Sequence, residues 1–373
     1  MDRTDQGAVK SIRISKKKLV FPAFKNMLKV YIIPLVLGSI HALYILTAIL
    51  CPKNKKNISE GKIYRIEHIV CFKNESKFIE GKLRNCYQIS YPYIHHTFVN
   101  DNSSDNTLEL LKEYKRADTV LMNNESDLGK NQSQMKAVKH TDSDLLLFTD
   151  ANVFLDKNAV TYLVRHFDDN ISGVCGDVTV TTDMKHKEIG GRYWEIEKQI
   201  KKFQSLSGSV IGFDGGFYGV RRADYNLTKK NELSDFESAF LLFEQGKQIR
   251  YAEDALAVEQ ERRKIKDSFK ARIRASNRVI WSFIRIFRYI HKLRVSVLTH
   301  FIFHKILRYI FIITFVLSLP FIILDMFEIS PFFLLIFFIP PIFRFTVESI
   351  ALCIGGIVAL TGKEYTTWSN KKF

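Results

Sequence analysis

The sequence predicts an α/β domain built on a doubly wound, mostly parallel sheet and flanked by transmembrane helices. Three observations carry this reading. Between residues 61 and 260, short strand-like runs alternate with helix-like runs, as βαβ units require. One of those runs, Leu145 to Phe148, is wholly apolar, as a central parallel strand buried on both faces must be. Residues 30–50, VYIIPLVLGSIHALYILTAIL, carry no charge over a length that spans a bilayer.

The elements follow in order. YRIEHIVCF (64–72) is a strand, and a helix opens at Asn74-Glu75-Ser76. HHTFVND is the next strand, followed by the helix NTLELLKEYKRA; TVLMNN (119–124) is the third strand and NQSQMKAVKHT the third helix. SDLLLFTDANVFLD (143–156) is the fourth strand, with KNAVTYLVRHF as the helix after it. Right-handed crossovers join such a series, and ligands bind beyond the carboxyl ends of its strands. Three polar clusters fall at those ends: Asn74-Glu75, Asn100-Asp101-Asn102 and Asp150-Ala151-Asn152. Each alone reads as a helix cap. Their coincidence at three strand ends favours a binding site.

The 373 residues carry a net charge of +16 and five cysteines without metal-type spacing, so neither a zinc site nor a disulfide framework is expected. The charge suits an anionic membrane surface or phosphorylated substrates. Nucleic acid is not expected, because no RRM, KH or helix-turn-helix pattern accompanies it. A basic arm (1–29) precedes the first span (30–51), and the catalytic domain covers 60–265. In ARIRASNRVIWSFIRIFRYIHKLR (271–294), Arg274, Arg278, Arg285, Arg288 and Lys292 fall near one helical face. The region 266–296 therefore reads as a basic amphipathic helix lying against membrane lipids. Further membrane segments fall within 305–362: a span at 309–324, a re-entrant or kinked half-span at 331–343 carrying Pro340 and Pro341, and another candidate at 345–362. A basic tail (363–373) ends the chain. The basic middle favours a cytoplasmic domain on an inner or plasma membrane, while the basic N-terminal arm (Lys16, Lys17, Lys18) pulls the other way.

Four motifs in register resemble the inverting glycosyltransferase family 2, relatives of cellulose, chitin and hyaluronan synthases, with a Rossmann-like nucleotide-sugar fold. They are CFKNES, VNDNSSDNT, SDLGKNQSQ and TDAN, and the similarity covers roughly residues 60–275. The resemblance implies a nucleotide-sugar donor, a UDP-sugar by preference, and a glycan or lipid-linked (polyprenyl) acceptor in surface polysaccharide assembly. It implies a divalent cation, Mg²⁺ or Mn²⁺, at Asp150 and Asn152, with Asn152 standing where the family has a second Asp. Donor contacts carried over are Glu75 near the ribose, Asp101 at the base edge, Lys130 on phosphate, and Arg272 on the diphosphate. LSDFESAFLLFEQGKQ resembles the motif that supplies the catalytic base, here Asp235, with Ser234 where an acid is usual. GSVIGFDGGFYGVRR resembles the acceptor-side loop, with Gly215 and Gly216 letting sugars approach and Trp194 a stacking surface on the helix before it. The stretch SFKARIRASNR lacks the Gln and Trp that follow in processive members. A catalytically silent, nucleotide-sugar-binding partner of a synthase complex is the alternative.

Overall fold

The computed structural model describes residues 31–51, 62–181, 191–225, 235–260 and 265–365. The basic arm 1–29, Ser234 and residues 366–373 of the tail lie outside them. Helix α1 (Tyr31–Leu50) comes first. Strands β1 (Ile66–Phe72), β2 (Ile94–Asn100), β3 (Val120–Asn123) and β4 (Leu145–Asp150) then alternate with helices α2 (Ile79–Tyr87), α3 (Thr107–Tyr114) and α4 (Lys130–Val138). They are followed by β5 (Val153–Leu155), α5 (Ala159–Val164), β6 (Ile171–Thr181), α6 (Gly191–Ser207), β7 (Phe217–Arg221), α7 (Glu237–Glu244) and β8 (Gln248–Gln260). Last come α8 (Ile265–Ile286), α9 (Val295–His300), α10 (Leu307–Ile329) and α11 (Pro340–Leu360). The chain divides into two compact units, Met1–Tyr44 with Ile302–Ile354 and Ile45–Phe301 with Gly355–Phe373.

The larger unit holds one eight-stranded sheet in the order β3-β2-β1-β4-β7-β6-β8-β5. Its β3-β2-β1-β4 half is parallel, as the alternating pattern predicts. β7 enters antiparallel to both β4 and β6, so the sheet is mixed. Nothing in a five-residue apolar run records its direction, and the sequence did not reveal this reversal. The expected single strand 143–156 is also divided. β4 ends at Asp150, the chain turns through Ala151 and Asn152, and β5 pairs with β8 at the far edge. That turn is what leaves Asp150 and Asn152 at a strand end. The Asn85 side chain of α2 secures β5, donating to the Leu155 carbonyl and accepting from its amide, both at 2.8 Å. Leu145 to Phe148 are buried throughout, each contributing about 1.5–3 kcal/mol of burial.

Among the described residues, three helices are long and apolar enough to cross a membrane: Tyr31–Leu50, Val295–Ile329 and Pro340–Leu360. Pro340 and Pro341 open α11 instead of breaking a span, since proline at the first helical positions removes only amides that have no helical partner. The preceding segment Pro331–Phe338 is 3₁₀-helical. Within the smaller unit, Phe345 of α11 packs on Phe311 and Phe315 of α10. The Tyr31 hydroxyl donates to Asp325, and large apolar side chains such as Leu35, Leu317 and Phe338 stand exposed.

Candidate active site

The polar turns after β1 and β2 are built into each other. Asn74 and Asn102 both adopt left-handed backbone (φ 56° and 54°), a conformation asparagine tolerates better than most residues. Asn74 Oδ1 accepts from the Ser104 amide at 2.8 Å, the Glu75 amide donates to Thr107 Oγ1 at 2.9 Å, and the Ser76 amide donates to Asp105 at 3.4 Å. Asp105 also accepts from the Thr107 amide and hydroxyl. Burial raises its pKa, but these hydrogen bonds outweigh burial and hold it below the usual carboxylate range. Ser103 and Ser104 thus tie the two turns together and only Asp105 meets the first amide of α3, and Glu75 sits on the turn they fix, partly exposed.

Asp101 does something else. Its buried carboxylate accepts from Asn124 Nδ2 and the Leu128 amide, each at 2.9 Å, and from the Gly129 amide at 2.8 Å. Gly129 has φ +83°, open only to glycine at low cost. Asp101 thus anchors the turn that starts α4, and the first residue of that helix is Lys130. Lys130 Nζ lies 2.5 Å from Asp150 Oδ1 and 3.3 Å from the Gly215 carbonyl. Burial pulls the Lys130 pKa down, but Asp150 and then Asp235 outweigh it and hold the ammonium above its ordinary range.

Asp235 closes the group from the other side. A Cβ added at Gly215 would lie 2.6 Å from Asp235 Oδ2, so the carboxylate rests directly on that glycine. The Asp235 carbonyl accepts from the Phe213 amide at 2.8 Å, tying the start of α7 to the 208–216 loop. That loop is held in turn by α6, whose Lys201 pairs with Asp214 at 2.5 Å, and the Gly216 carbonyl accepts from the Asp150 amide. The structure therefore brings Asp150, Lys130, Asp235, Gly215 and Gly216 together. Trp194 lies about two helical turns before Lys201 on α6, partly buried. Lys201 and Asp214 escaped the sequence reading because their pairing depends on a loop whose course no local pattern records.

The basic face assigned to α8 is corrected in part. Arg285 forms a bidentate pair with Glu237 of α7, Nε to Oε2 at 2.9 Å and Nη2 to Oε1 at 2.6 Å, and reaches Glu364 at 2.6 Å. Lys292 pairs with Glu244. Arg278 is partly buried, with Asp235, Glu237 and Glu364 as its anionic neighbours. Arg285 is drawn inward because the buried Glu237 carboxylate needs a counter-charge, whereas the Lys292–Glu244 pair is exposed. Arg272, placed on the diphosphate by resemblance, sits on the same helix six residues before Arg278, partly buried. Ile284 and Phe287 remain exposed as an apolar edge.

The residues at the β4–β5 turn suit a hard divalent cation. Asn152 donates its amide N–H to the Gln260 carbonyl at 3.1 Å and to Glu259 at 3.3 Å. This orients the amide and leaves Oδ1 with no partner among the described residues. Asp150 uses Oδ1 for Lys130, leaving Oδ2 likewise. Two oxygen donors two residues apart, only one of them charged, fit Mg²⁺ or Mn²⁺ with modest affinity.

A parallel half-sheet, an acidic strand end and a lysine from the next crossover make an α/β domain with a charged cleft beyond its strand ends. Residues 68–227 match the family model of glycosyl transferase family 2. Over 160 residues it is 29% identical to a poly-beta-1,6-N-acetyl-D-glucosamine synthase of Staphylococcus epidermidis, covering 41% of this chain and 36% of the relative. The enzyme of the same name from Staphylococcus aureus (strain COL) is 27% identical over 143 residues, 36% of this chain and 34% of the relative. The matched region thus spans about a third of these relatives' length. In fold, the chain resembles the mannosyltransferase PcManGT from Pyrobaculum calidifontis, solved in complex with GDP-Man and Mn²⁺. The TM-score is 0.74 at 17% identity, over 90% of this chain and all of that one.

Proposed function

We propose that the protein is a membrane-bound, inverting glycosyltransferase. It transfers a sugar from a nucleotide-sugar, a UDP-sugar by the family resemblance, to a glycan or polyprenyl-linked acceptor in surface polysaccharide synthesis. The observation that carries the reading is the convergence of Asp150, Lys130 and Asp235 on Gly215. Asp235 is the base: its carboxylate takes the proton of the acceptor hydroxyl as that oxygen attacks the anomeric carbon. On the opposite face the bond to the diphosphate breaks, and the Lys130 ammonium receives the charge that develops there. Asp150 Oδ2 and Asn152 Oδ1 would hold a divalent cation, which when bound neutralises the leaving diphosphate. Asp101 serves the donor by fixing the turn that carries Lys130. The three apolar helices anchor the domain, facing the cytoplasm, in the inner or plasma membrane.

The staphylococcal relatives favour a sugar polymer as product and the archaeal neighbour favours a nucleotide-sugar with Mn²⁺ as donor complex. The test is nucleoside diphosphate release by the full-length protein in lipid nanodiscs, with a panel of UDP- and GDP-sugars, Mn²⁺ or Mg²⁺, and membrane extract as acceptor source. Turnover by wild type, with donor binding but no transfer by Asp235→Asn, supports the assignment. Donor binding without turnover under every condition would favour a silent binding partner instead.

A further inference from the structure

Lys82 is the most unexpected cation in the domain. It lies on α2 and is completely buried. Its Nζ donates to Thr149 Oγ1 at 2.8 Å and to the Val153 carbonyl. Those two acceptors bracket Asp150-Ala151-Asn152, so the ammonium sits beneath the turn that carries both proposed cation ligands. Neither acceptor is charged. An ammonium placed among neutral partners in a protein interior is unfavourable, and an apolar side chain of similar length would pack there at lower cost. Holding β5 does not require it, because Asn85 from the next turn of the same helix already grips Leu155 by two hydrogen bonds.

What Lys82 adds is a buried cationic side chain under the residue that precedes Asp150. Burial lowers its pKa overall, with Cys86 and then Asp150 acting in the opposite direction. Thr149 Oγ1 also meets His68 Nε2 at 2.8 Å, and His68 Nδ1 meets His96 Nδ1 at 3.1 Å. A hydrogen-bonded chain thus runs inward from the donor-site strand end. His68, Cys86 and His96 have ligand-type atoms within 4.8 Å of one another. An ammonium sharing the hydroxyl that His68 uses opposes a second positive ion there, so we read the group as part of this polar chain.

We propose that Lys82 is a positioning residue for the transfer reaction, its buried ammonium setting the Asp150–Asn152 turn in the geometry that receives the donor diphosphate. The assignment rests on the glycosyltransferase reading above. Replacing Lys82 removes an unfavourably buried charge, so Lys82→Met melts no lower than wild type. It nevertheless raises the donor KM about tenfold and lowers kcat by a similar factor, because the turn is no longer fixed from beneath.

The experiment compares wild type, Lys82→Met, Thr149→Val and Thr149→Ser, full length in nanodiscs. Melting temperature, donor dissociation constant, KM and kcat are measured for each. Thr149→Val keeps the shape but loses the shared hydroxyl; it melts below wild type, because the buried ammonium keeps only the Val153 carbonyl, and it follows Lys82→Met in KM and kcat. Thr149→Ser restores the hydroxyl and stays near wild type. Should Lys82→Met not fold, the contrast between the Val and Ser variants carries the test. Wild-type kcat/KM in both Lys82→Met and Thr149→Val overturns the proposal, as do losses that track melting temperature in all three variants. One equivalent of tightly held zinc or copper that Cys86→Ser releases would also overturn it, by placing a metal where the polar chain is assigned. Absence of any nucleotide-sugar binding by wild type is a separate failure, which removes the functional reading and the reaction Lys82 would serve.

Discussion

Lys130 and Asp150 meet at 2.5 Å across the carboxyl ends of the parallel strands, one from the first residue of a helix, the other from the last residue of a strand. Each depends on a separate support: Lys130 on the turn held by Asp101, Asp150 on the backbone of Gly216. The pair is a charge-balanced resting state. A donor diphosphate would draw the ammonium toward itself, and a cation would take up the free carboxylate oxygen.

Lys130→Met and Asp150→Asn should each weaken nucleotide-sugar binding by about 10- to 100-fold, since a charge-assisted contact near the diphosphate is lost. Because the two groups share one interaction, the double variant should bind only slightly worse than the poorer single variant. Calorimetric titration with the best donor of the panel measures all four proteins. Fully additive losses would mean the two residues meet the donor independently.

Gly215→Ala separates catalysis from stability. The added methyl carbon would lie 2.6 Å from Asp235 Oδ2, a side-chain oxygen that can swing aside, so the fold should tolerate it. The displaced carboxylate would no longer face the acceptor, and a shift of about 1 Å at a reacting group can cost about 100-fold in rate. We expect kcat to fall by that order, with donor affinity and melting temperature close to wild type. A variant with wild-type kcat would remove Asp235 from the role of base.

The parallel half of the sheet was legible because its strands are apolar runs cut off by polar clusters. The candidate site was legible to the extent that Asp101 and Asp150 lie at those cut-offs, while Lys130 opens the helix after the third strand. What escaped has physical causes. Asp101 also accepts hydrogen bonds from groups 23 to 28 residues away, a pairing that depends on how two turns fold together. Arg285 looked like part of a membrane-facing stripe, and its partner Glu237 lies 48 residues earlier. Lys82 did carry a local signal, since it stands three residues after buried Ile79 and four before buried Cys86, on the inner face of α2.

Arg285→Met should destabilise the protein by about 3 to 5 kcal/mol, because it removes the bidentate partner of the buried Glu237 carboxylate. The Glu237 side chain is only 6% exposed and that of Arg285 14%, and Ser282 also donates to Glu237, at 2.6 Å. Changing both partners, Glu237→Gln with Arg285→Met, should recover most of the loss. Thermal unfolding in lipid or detergent reports it. Equal losses in the single and double variants would show that packing of α7 on α8, and not the buried charge, sets the cost.

The histidine pair predicts how stability responds to acid. Burial first, with the charges of Lys82 and Arg116 adding to it and Asp118 opposing, lowers the pKa of His96 to about 4; burial likewise keeps His68 well below its ordinary value, with His96 and Lys82 adding to the effect. In the unfolded chain both titrate near the ordinary histidine value of about 6.5. Between these limits the unfolded state binds protons that the folded state refuses, so the histidine contribution to stability is complete above pH 6.5 and is lost as pH falls towards 4. For His96 alone the loss is on the order of 3 kcal/mol. In His96→Phe, an aromatic ring can still stack on Phe98 as the imidazole does, with ring centroids now 6.1 Å apart. The variant should therefore show a shallower fall in unfolding free energy between pH 6.5 and 4, by about one proton's worth of slope. An unchanged slope would mean that His96 is protonated in the folded protein, and that the chain from His96 through His68 to Thr149 carries a charge inward instead of excluding one.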